Sequence, residues 1–391
     1  MLRGAGLVLV GVVVALGAGE LVARWAFDPP TVLIEPDPIL GWRYVPSLTG
    51  SWAASAWKFD RAPRIPVRVN SQGLLDREYP FEKPPGVVRV LVLADSVGGD
   101  PGVPLDALFP KVAERRAGAD RRWSPTEVIN AGVTGFGTAQ ELAMFEAVGW
   151  RYEPDVVVLT FSMSDVGDST DLSEPRPRAV FQDGLLALEP PRVPSPVAEP
   201  PSRARLLGAH SRLYALAREK LVRIPATRRV LARLHLLGPR VLQADAGFRD
   251  GLRVFLADDD AHAARGWGLT AALLRRLRDR VQARGARFVV IIAPIEGQVY
   301  PERFPALWNQ HFSARRYDLD KPNRVLREFL ATERIPALDL LPAFRARSRA
   351  GDADLYRRGD GHWTVQGHEL AGSALIEFLG REGFLAARVT G

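Results

Sequence analysis

The chain has 391 residues, 47% of them hydrophobic and 25% charged, a globular composition with room for one large core and appendages. There is no cysteine, which excludes a disulfide framework, a thiolate nucleophile and any Cys-ligated metal. The net charge of +7 is concentrated rather than spread: from Arg203 to Arg240 ten basic residues face the single acid Glu219, which predicts a local basic surface.

Met1-Leu2-Arg3 leads into an uncharged apolar run from Ala5 to Ala18, and the next ionisable residues are Glu20 and Arg24. Continuing through Leu21-Val22-Ala23 and Trp25-Ala26-Phe27 brings the run near the roughly 20 residues that a bilayer requires. Residues 1–27 are therefore expected to form a signal anchor, a transmembrane segment, with a cleaved signal peptide as the alternative. Arg3 ahead of the run keeps the N-terminus in the cytoplasm, so everything after about Asp28 is expected outside it, as a single-pass membrane protein. From 28 to 85 the composition turns to Pro, Gly, Trp and short polar turns. An irregular or β-rich segment is expected there, with a strand at Val67–Asn70 and a turn at Asn70–Gly73.

The main domain is expected over 86–391. Arg89 to Ala94 is a short apolar run of the kind buried on both faces of a sheet, and it closes abruptly in Asp95-Ser96 followed by Gly98-Gly99. Helical spacing from Leu105 to Arg116 leads to a second strand at Glu127–Asn130. That strand ends in Ala131-Gly132-Val133-Thr134-Gly135, after which Thr138 is placed to cap a helix over Ala139–Gly149. A third strand, Val156–Phe161, ends in Ser162-Met163-Ser164-Asp165. This alternation predicts a parallel sheet. It is interrupted by an insertion at about 171–262: a proline-rich extended linker over Asp171–Pro201, then Arg-rich amphipathic helix over Arg203–Val241. Regular architecture resumes with a helix at Gly266–Arg284, a strand at Phe288–Ala293, a helix at Asn323–Glu333 and a strand at Ala337–Leu341.

Near the end stands Asp360-Gly361-His362-Trp363. A carboxylate two residues before a histidine on a loop can hydrogen-bond Nδ1 and leave Nε2 free to face a hydroxyl, and a serine needs such a base to attack at neutral pH. Either motif alone also reads as a turn or a helix cap; Ser96 together with Asp360 and His362 points to nucleophilic catalysis.

The blocks Leu93-Ala94-Asp95-Ser96, Asn130-Ala131-Gly132, Val156–Phe161 closing on Ser164-Asp165, and Asp360-Gly361-His362 resemble, in order, those of the GDSL/SGNH hydrolase superfamily. The similarity is strongest to membrane-anchored bacterial members, and the Asp-x-His-Trp block is similar to that of alginate O-acetyltransferase relatives. The resemblance implies an α/β fold: three-layer α/β/α, flavodoxin-like, with a mostly parallel five-stranded sheet. It implies Ser96 as nucleophile, His362 as general base and acid, and Asp360 as orienting carboxylate. The oxyanion hole it implies comes from the backbone N–H groups of Ser96 and Gly132 with a side-chain donor at Ser164. Two departures stand out: Ala94 where the family has Gly, and Ser164 where it has Asn. A serine hydroxyl is about two heavy atoms shorter than a carboxamide, so its reach to an oxyanion is reduced.

The leading expectation is a serine esterase that removes O-acyl groups, acetyl above all, from an extracytoplasmic glycan or a small acyl ester. An O-acyltransferase and a non-catalytic glycan-binding component are the alternatives. No cofactor, metal or nucleic-acid partner is expected. Asp258-Asp259-Asp260 with His262 could ligate a metal but reads more simply as a helix N-terminus. His368 is expected to be structural. Arg68, Asn70 and Arg77 are candidates to meet substrate; the nine tryptophans read as core, with Trp42, Trp52, Trp57 and Trp363 as candidate faces for sugar rings.

Overall fold

A computed structural model describes residues 2–26, 31, 33–53, 64–170, 175–192, 211–222, 227, 250–312, 314–351, 354–357 and 361–386. The chain divides into two compact units, one of residues 1–32, 51–65 and 194–245, the other of residues 33–50, 66–193 and 246–391.

The larger unit is built on five parallel strands: β1 (Val88–Ala94), β2 (Thr126–Asn130), β3 (Val156–Ser162), β4 (Arg287–Ala293) and β5 (Ala337–Asp339). Their order across the sheet is β2-β1-β3-β4-β5, the doubly wound order that reverses direction between β1 and β3. Among its helices are α1 (Phe109–Ala119), α2 (Thr138–Ala147), α3 (Ala261–Ala283), α4 (Lys321–Thr332), α5 (Leu341–Arg349) and α6 (Val365–Arg381). Because side chains alternate along a strand, Val88, Val90, Val92 and Ala94 meet Phe109, Ala113, Phe344 and Leu375 on one face. The other face is covered by α2 and α3. Both faces are covered, so β1 and β3 are apolar but for Arg89, Thr160 and Ser162, and the three-layer α/β/α architecture is the expected one. Each fully buried Val or Leu contributes about 1.5–3 kcal/mol.

Charges close the amino-terminal edge of the sheet. Arg89 is fully buried; its guanidinium meets Glu127 at 2.6 Å and donates to the carbonyls of Phe81 and Tyr152 at 2.9 and 2.7 Å.

Several boundaries move for local reasons. Helix α3 begins at Ala261 because the Asp260 carboxylate caps it, accepting from Ala263 N–H at 2.9 Å. Thr138 is the first residue of α2 rather than its cap, and Gln140 Oε1 instead receives the Gly137 N–H at 3.2 Å. The stretch expected to be an extended linker contains an antiparallel hairpin, Arg178–Gln182 with Leu185–Glu189. Its turn is Asp183-Gly184, both at positive φ, the preferred two-residue connection for twisted strands. Of the Arg-rich helical stretch, the described part is the helix Arg212–Val222; residues 201–210, 223–226 and 228–249 lie outside the described residues.

In the smaller unit the N-terminal residues form the helix Leu2–Ala26. Its Glu20 carboxylate accepts from Ser211 Oγ at 2.8 Å and from the N–H groups of Arg212 and Leu213 at 2.9 Å, capping the helix Arg212–Val222. Among the described residues no helix is long and apolar enough to cross a membrane.

Candidate active site

Ser96 stands where β1 ends, as the first residue of a four-residue helical turn, Ser96–Gly99. Asp95 caps that turn, its Oδ1 accepting from Val97 N–H at 2.7 Å, which aims the turn across the end of the sheet. Next to it runs the loop after β2, whose Val133 N–H still bonds the Ala94 carbonyl at 3.0 Å. The two loops touch backbone to backbone: a Cβ on Gly99 would fall 2.5 Å from the Gly132 carbonyl, and one on Gly132 would fall 2.7 Å from Gly99 N. Only glycine fits at either position.

Asn130, fully buried, ties these loops together. Its Nδ2 donates to the carbonyls of Gly98 and Leu75 at 2.9 and 3.1 Å, and its Oδ1 accepts from Gly132 N–H at 3.1 Å. From the other side Tyr44 OH bonds the Gly99 carbonyl and Thr134 Oγ1, and Trp42 Nε1 donates to the Thr134 carbonyl at 3.0 Å.

His362 belongs to a loop anchored on the same turn. The loop is closed by an antiparallel bridge between Tyr356 and Trp363, with Arg357 N–H donating to the His362 carbonyl at 2.8 Å. The Arg357 guanidinium ion-pairs with Asp100, the residue that ends the Ser96 turn, and lies so close over Gly102 that a Cβ there would sit 1.6 Å from Nη1. Trp363 packs edge-on against Phe109 at 6.0 Å between ring centroids. The His362 imidazole is near enough to Asp95 to stabilise its charge. Thus the structure brings the Ser96 and His362 segments to one edge of the sheet. Asp360 lies outside the described residues, as do 358 and 359.

Ser164 has its Oγ 2.9 Å from Ser162 Oγ, and Ser162 in turn hydrogen-bonds the Asp95 carboxylate. With Asp95 ionised, Ser162 donates to Asp95, so the Ser164 hydroxyl points its one proton at Ser162. Four carboxyls crowd this region: Asp95, Glu141, Asp165 and Asp168, the last paired with Arg176 at 2.7 Å. Burial and mutual repulsion push Glu141 and Asp165 well above the carboxylate range.

Burial, with a further push from Asp168, raises Asp95 from 3.8 to about 6, against the pull of Val97 N–H, His362 and Ser162. A carboxyl raised on folding binds its proton more tightly in the folded state. Its contribution is therefore fully present below pH 3.8 and is lost as the pH rises through about 6. The loss amounts to about 3 kcal/mol. Chemical denaturation from pH 4 to 7 is expected to show this slope in the native sequence and a flatter one in Asp95→Asn; identical slopes would refute the assignment.

Other candidates are placed elsewhere. Among the described residues no group of histidine and acid side chains is arranged to hold a metal. Asp259 pairs with Lys321 at 2.7 Å, Asp260 caps α3, and His262 Nε2 meets Thr170 Oγ1 at 2.9 Å. His368 is fully buried, accepts from Phe109 N–H at 3.3 Å on Nδ1, and is pushed by burial down to about 3, a neutral structural ring. Asn70 is also structural: its Oδ1 holds the N–H groups of Gln72 and Leu74 in the turn. Arg77 pairs with Glu114 at 2.8 Å, while Arg68 is exposed. Trp42 and Trp363 are buried in the core and offer no face to a sugar; Trp52 is half-buried and Trp57 lies outside the described residues. Sequence reasoning missed Asp76 and Lys111. Lys111 is fully buried and directs its ammonium to Asp76 at 2.9 Å, Tyr79 OH at 2.9 Å and the Val128 carbonyl. A lysine set in the apolar row of α1 was the available signal.

Residues 254–389, which include His362 and Trp363, match the family model described as "SGNH hydrolase-like domain, acetyltransferase AlgX". That region is SGNH hydrolase-like. The chain is 31% identical over 124 residues to the probable alginate O-acetylase AlgJ of Pseudomonas putida, covering 29% of this chain and 28% of that protein. Identity is also 31% over 108 residues to the probable alginate O-acetylase AlgJ of Pseudomonas fluorescens, covering 28% and 26%. The chain thus spans little more than a quarter, 28% and 26%, of the length of these curated relatives. Among solved structures, an acetylxylan esterase from Geobacillus stearothermophilus aligns at 14% identity and TM-score 0.40, over 77% of this chain and 97% of that one. The doubly wound strand order puts Ser96, Asn130–Gly132 and Ser164 just at or after the ends of β1, β2 and β3, and Gly361 and His362 in the loop before α6.

Proposed function

We propose that this SGNH hydrolase-like protein is a serine-dependent enzyme of O-acyl groups, an esterase that removes acetyl from an extracytoplasmic polysaccharide through an acyl-enzyme. The observation that carries the reading is the ion pair from Arg357 to Asp100, which fastens the His362 loop to the Ser96 turn. Ser96 Oγ attacks the acyl carbonyl carbon while His362 takes its proton, and the carbonyl electron pair moves onto oxygen. The amides of Ser96 and Gly132 face that oxyanion, Gly132 releasing or sharing Asn130 Oδ1 as it does so. Collapse expels the sugar alkoxide, which takes the proton from His362, and leaves acetyl on Ser96. Asp360 serves as the orienting carboxylate. Ser164 enters through its hydroxyl chain to Ser162 and Asp95, in the place of a third donor.

A second reading is favoured by the matches to probable alginate O-acetylases: the acyl-enzyme passes acetyl to a polysaccharide hydroxyl instead of water. Both readings place the domain outside the cytoplasm. The helix Leu2–Ala26, which exposes Leu7, Val10, Val14, Leu16, Leu21 and Trp25, supports attachment to the cell membrane.

The test is to incubate the protein with p-nitrophenyl acetate and follow nitrophenol release together with the mass of the Ser96 peptide. One acetyl group on Ser96, discharged by water, supports the esterase. Discharge that accelerates on adding an oligosaccharide, with acetyl recovered on the sugar, supports the transferase. Absence of both acetylated Ser96 and nitrophenol from folded protein leaves neither standing.

A further inference from the structure

The segment from Val69 to Tyr79 precedes the first strand of the sheet, and its turn is built with unusual completeness. Asn70 Oδ1 accepts two backbone N–H groups, its Nδ2 donates to the Arg77 carbonyl at 3.0 Å, and Gly73 takes positive φ. The turn delivers Leu75 and Asp76 to the end of β2. There the Leu75 carbonyl receives Asn130 Nδ2 at 3.1 Å, and Asp76 Oδ2 receives the Asn130 backbone N–H at 2.7 Å. Asn130 is thus held by its main chain and its side chain from the same two residues, while its remaining bonds hold the Gly98 carbonyl and Gly132 N–H.

Asp76 is itself fixed. Lys111 is its ion-pair partner at 2.9 Å with both side chains fully buried, and the Arg77 N–H bonds its Oδ1 at 2.7 Å. The three ammonium protons of Lys111 have three acceptors, Asp76, Tyr79 and the Val128 carbonyl, so the carboxylate has one orientation available. A buried ion pair of this kind is a poor source of stability compared with an apolar pair of equal volume, and its best-attested use is to specify one arrangement.

We infer that Asp76, held by Lys111, is a positioning residue that sets Asn130 and through it the Gly98 and Gly132 backbone on which the oxyanion site depends. This rests on the function proposed above. Asp76 touches no substrate; it acts by denying Asn130 any other register, so that Gly132 N–H keeps its direction when the oxyanion forms.

Two double variants isolate the acceptor at position 76 from the charge pair. Asp76→Asn/Lys111→Met removes both charges and leaves a side-chain carbonyl for the Asn130 N–H, whereas Asp76→Ala/Lys111→Met removes the acceptor as well. Turnover of p-nitrophenyl acetate and the rate of Ser96 labelling by a fluorophosphonate are measured on folded protein. The alanine variant is expected to lose about 10- to 100-fold in kcat and in labelling rate with KM within twofold, and the asparagine variant to recover most of the loss. Equal kcat in the two would overturn the positioning role. Should the alanine variant not fold, Asn130→Asp carries the test: it retains the acceptor for Gly132 N–H and replaces the donor to Gly98 and Leu75. Wild-type kcat in Asn130→Asp would overturn the inference, and a comparable fall would support it. If the native sequence neither turns over nor labels, the catalytic reading fails and takes this one with it; if it labels and both double variants label alike, only the positioning role is lost.

Discussion

Replacing Ser96 with alanine is expected to lower acetyl release by roughly 10⁴- to 10⁶-fold, and replacing His362 with alanine by a similar factor. A serine hydroxyl is a weak nucleophile without a base, and a base without the hydroxyl has no proton to take, so in the proposed mechanism the two act as a unit. The double variant should therefore be no slower than the worse single variant. Initial rates on p-nitrophenyl acetate at matched concentrations of folded protein decide the point. Effects that multiply in the double variant would show that the two groups serve separate steps. Ser96 is half-buried at the start of its turn and His362 half-buried in its loop, so neither truncation opens a core cavity and the fold should persist.

Arg357→Ala is the second large effect. The guanidinium sits on Gly102 and pairs with Asp100, which is 5% exposed; removing it leaves that carboxylate buried with less compensation and frees the loop bearing His362. Loss of one partner from a buried pair costs about 3–5 kcal/mol, and the one-fifth exposure of the Arg357 side chain, 20%, places the expected loss near the lower end. The unfolding midpoint should fall accordingly, and kcat should fall further than stability alone explains, because the loop that carries His362 is no longer fastened to the Ser96 turn. A variant as stable and as active as the native sequence would mean that the loop is held by Trp363 packing alone.

The strands and the Ser96 block were legible because β1, β3 and β4 are buried on both faces, which leaves long apolar runs that stop abruptly. The short edge strand β5, three residues from Ala337 to Asp339, was legible only in outline, since its last expected residues begin the turn into α5. The hairpin Arg178–Glu189 was hidden by the prolines that flank it, although Asp183-Gly184 is a strong turn signal. Asp76 and Lys111 could not be paired from sequence: 35 positions separate them, and a lysine in the apolar row of α1 signals a buried charge without naming its partner. The importance of Asn130 was half visible, in a block that resembles a family motif, but its four hydrogen bonds depend on Leu75, Asp76, Gly98 and Gly132 arriving together. Trp42 and Trp363 illustrate the opposite error, since an aromatic side chain that looks available in a sequence is as readily spent on packing.

The direct touch between Gly99 and Gly132 has a consequence for how such a protein can change. At that point the spacing of two peptide planes is governed by atomic radii, with no rotamer to adjust and no larger residue admitted. Drift is closed there, and new preferences for acyl group or acceptor have to be written in the segments that surround these planes while the planes themselves stay as they are.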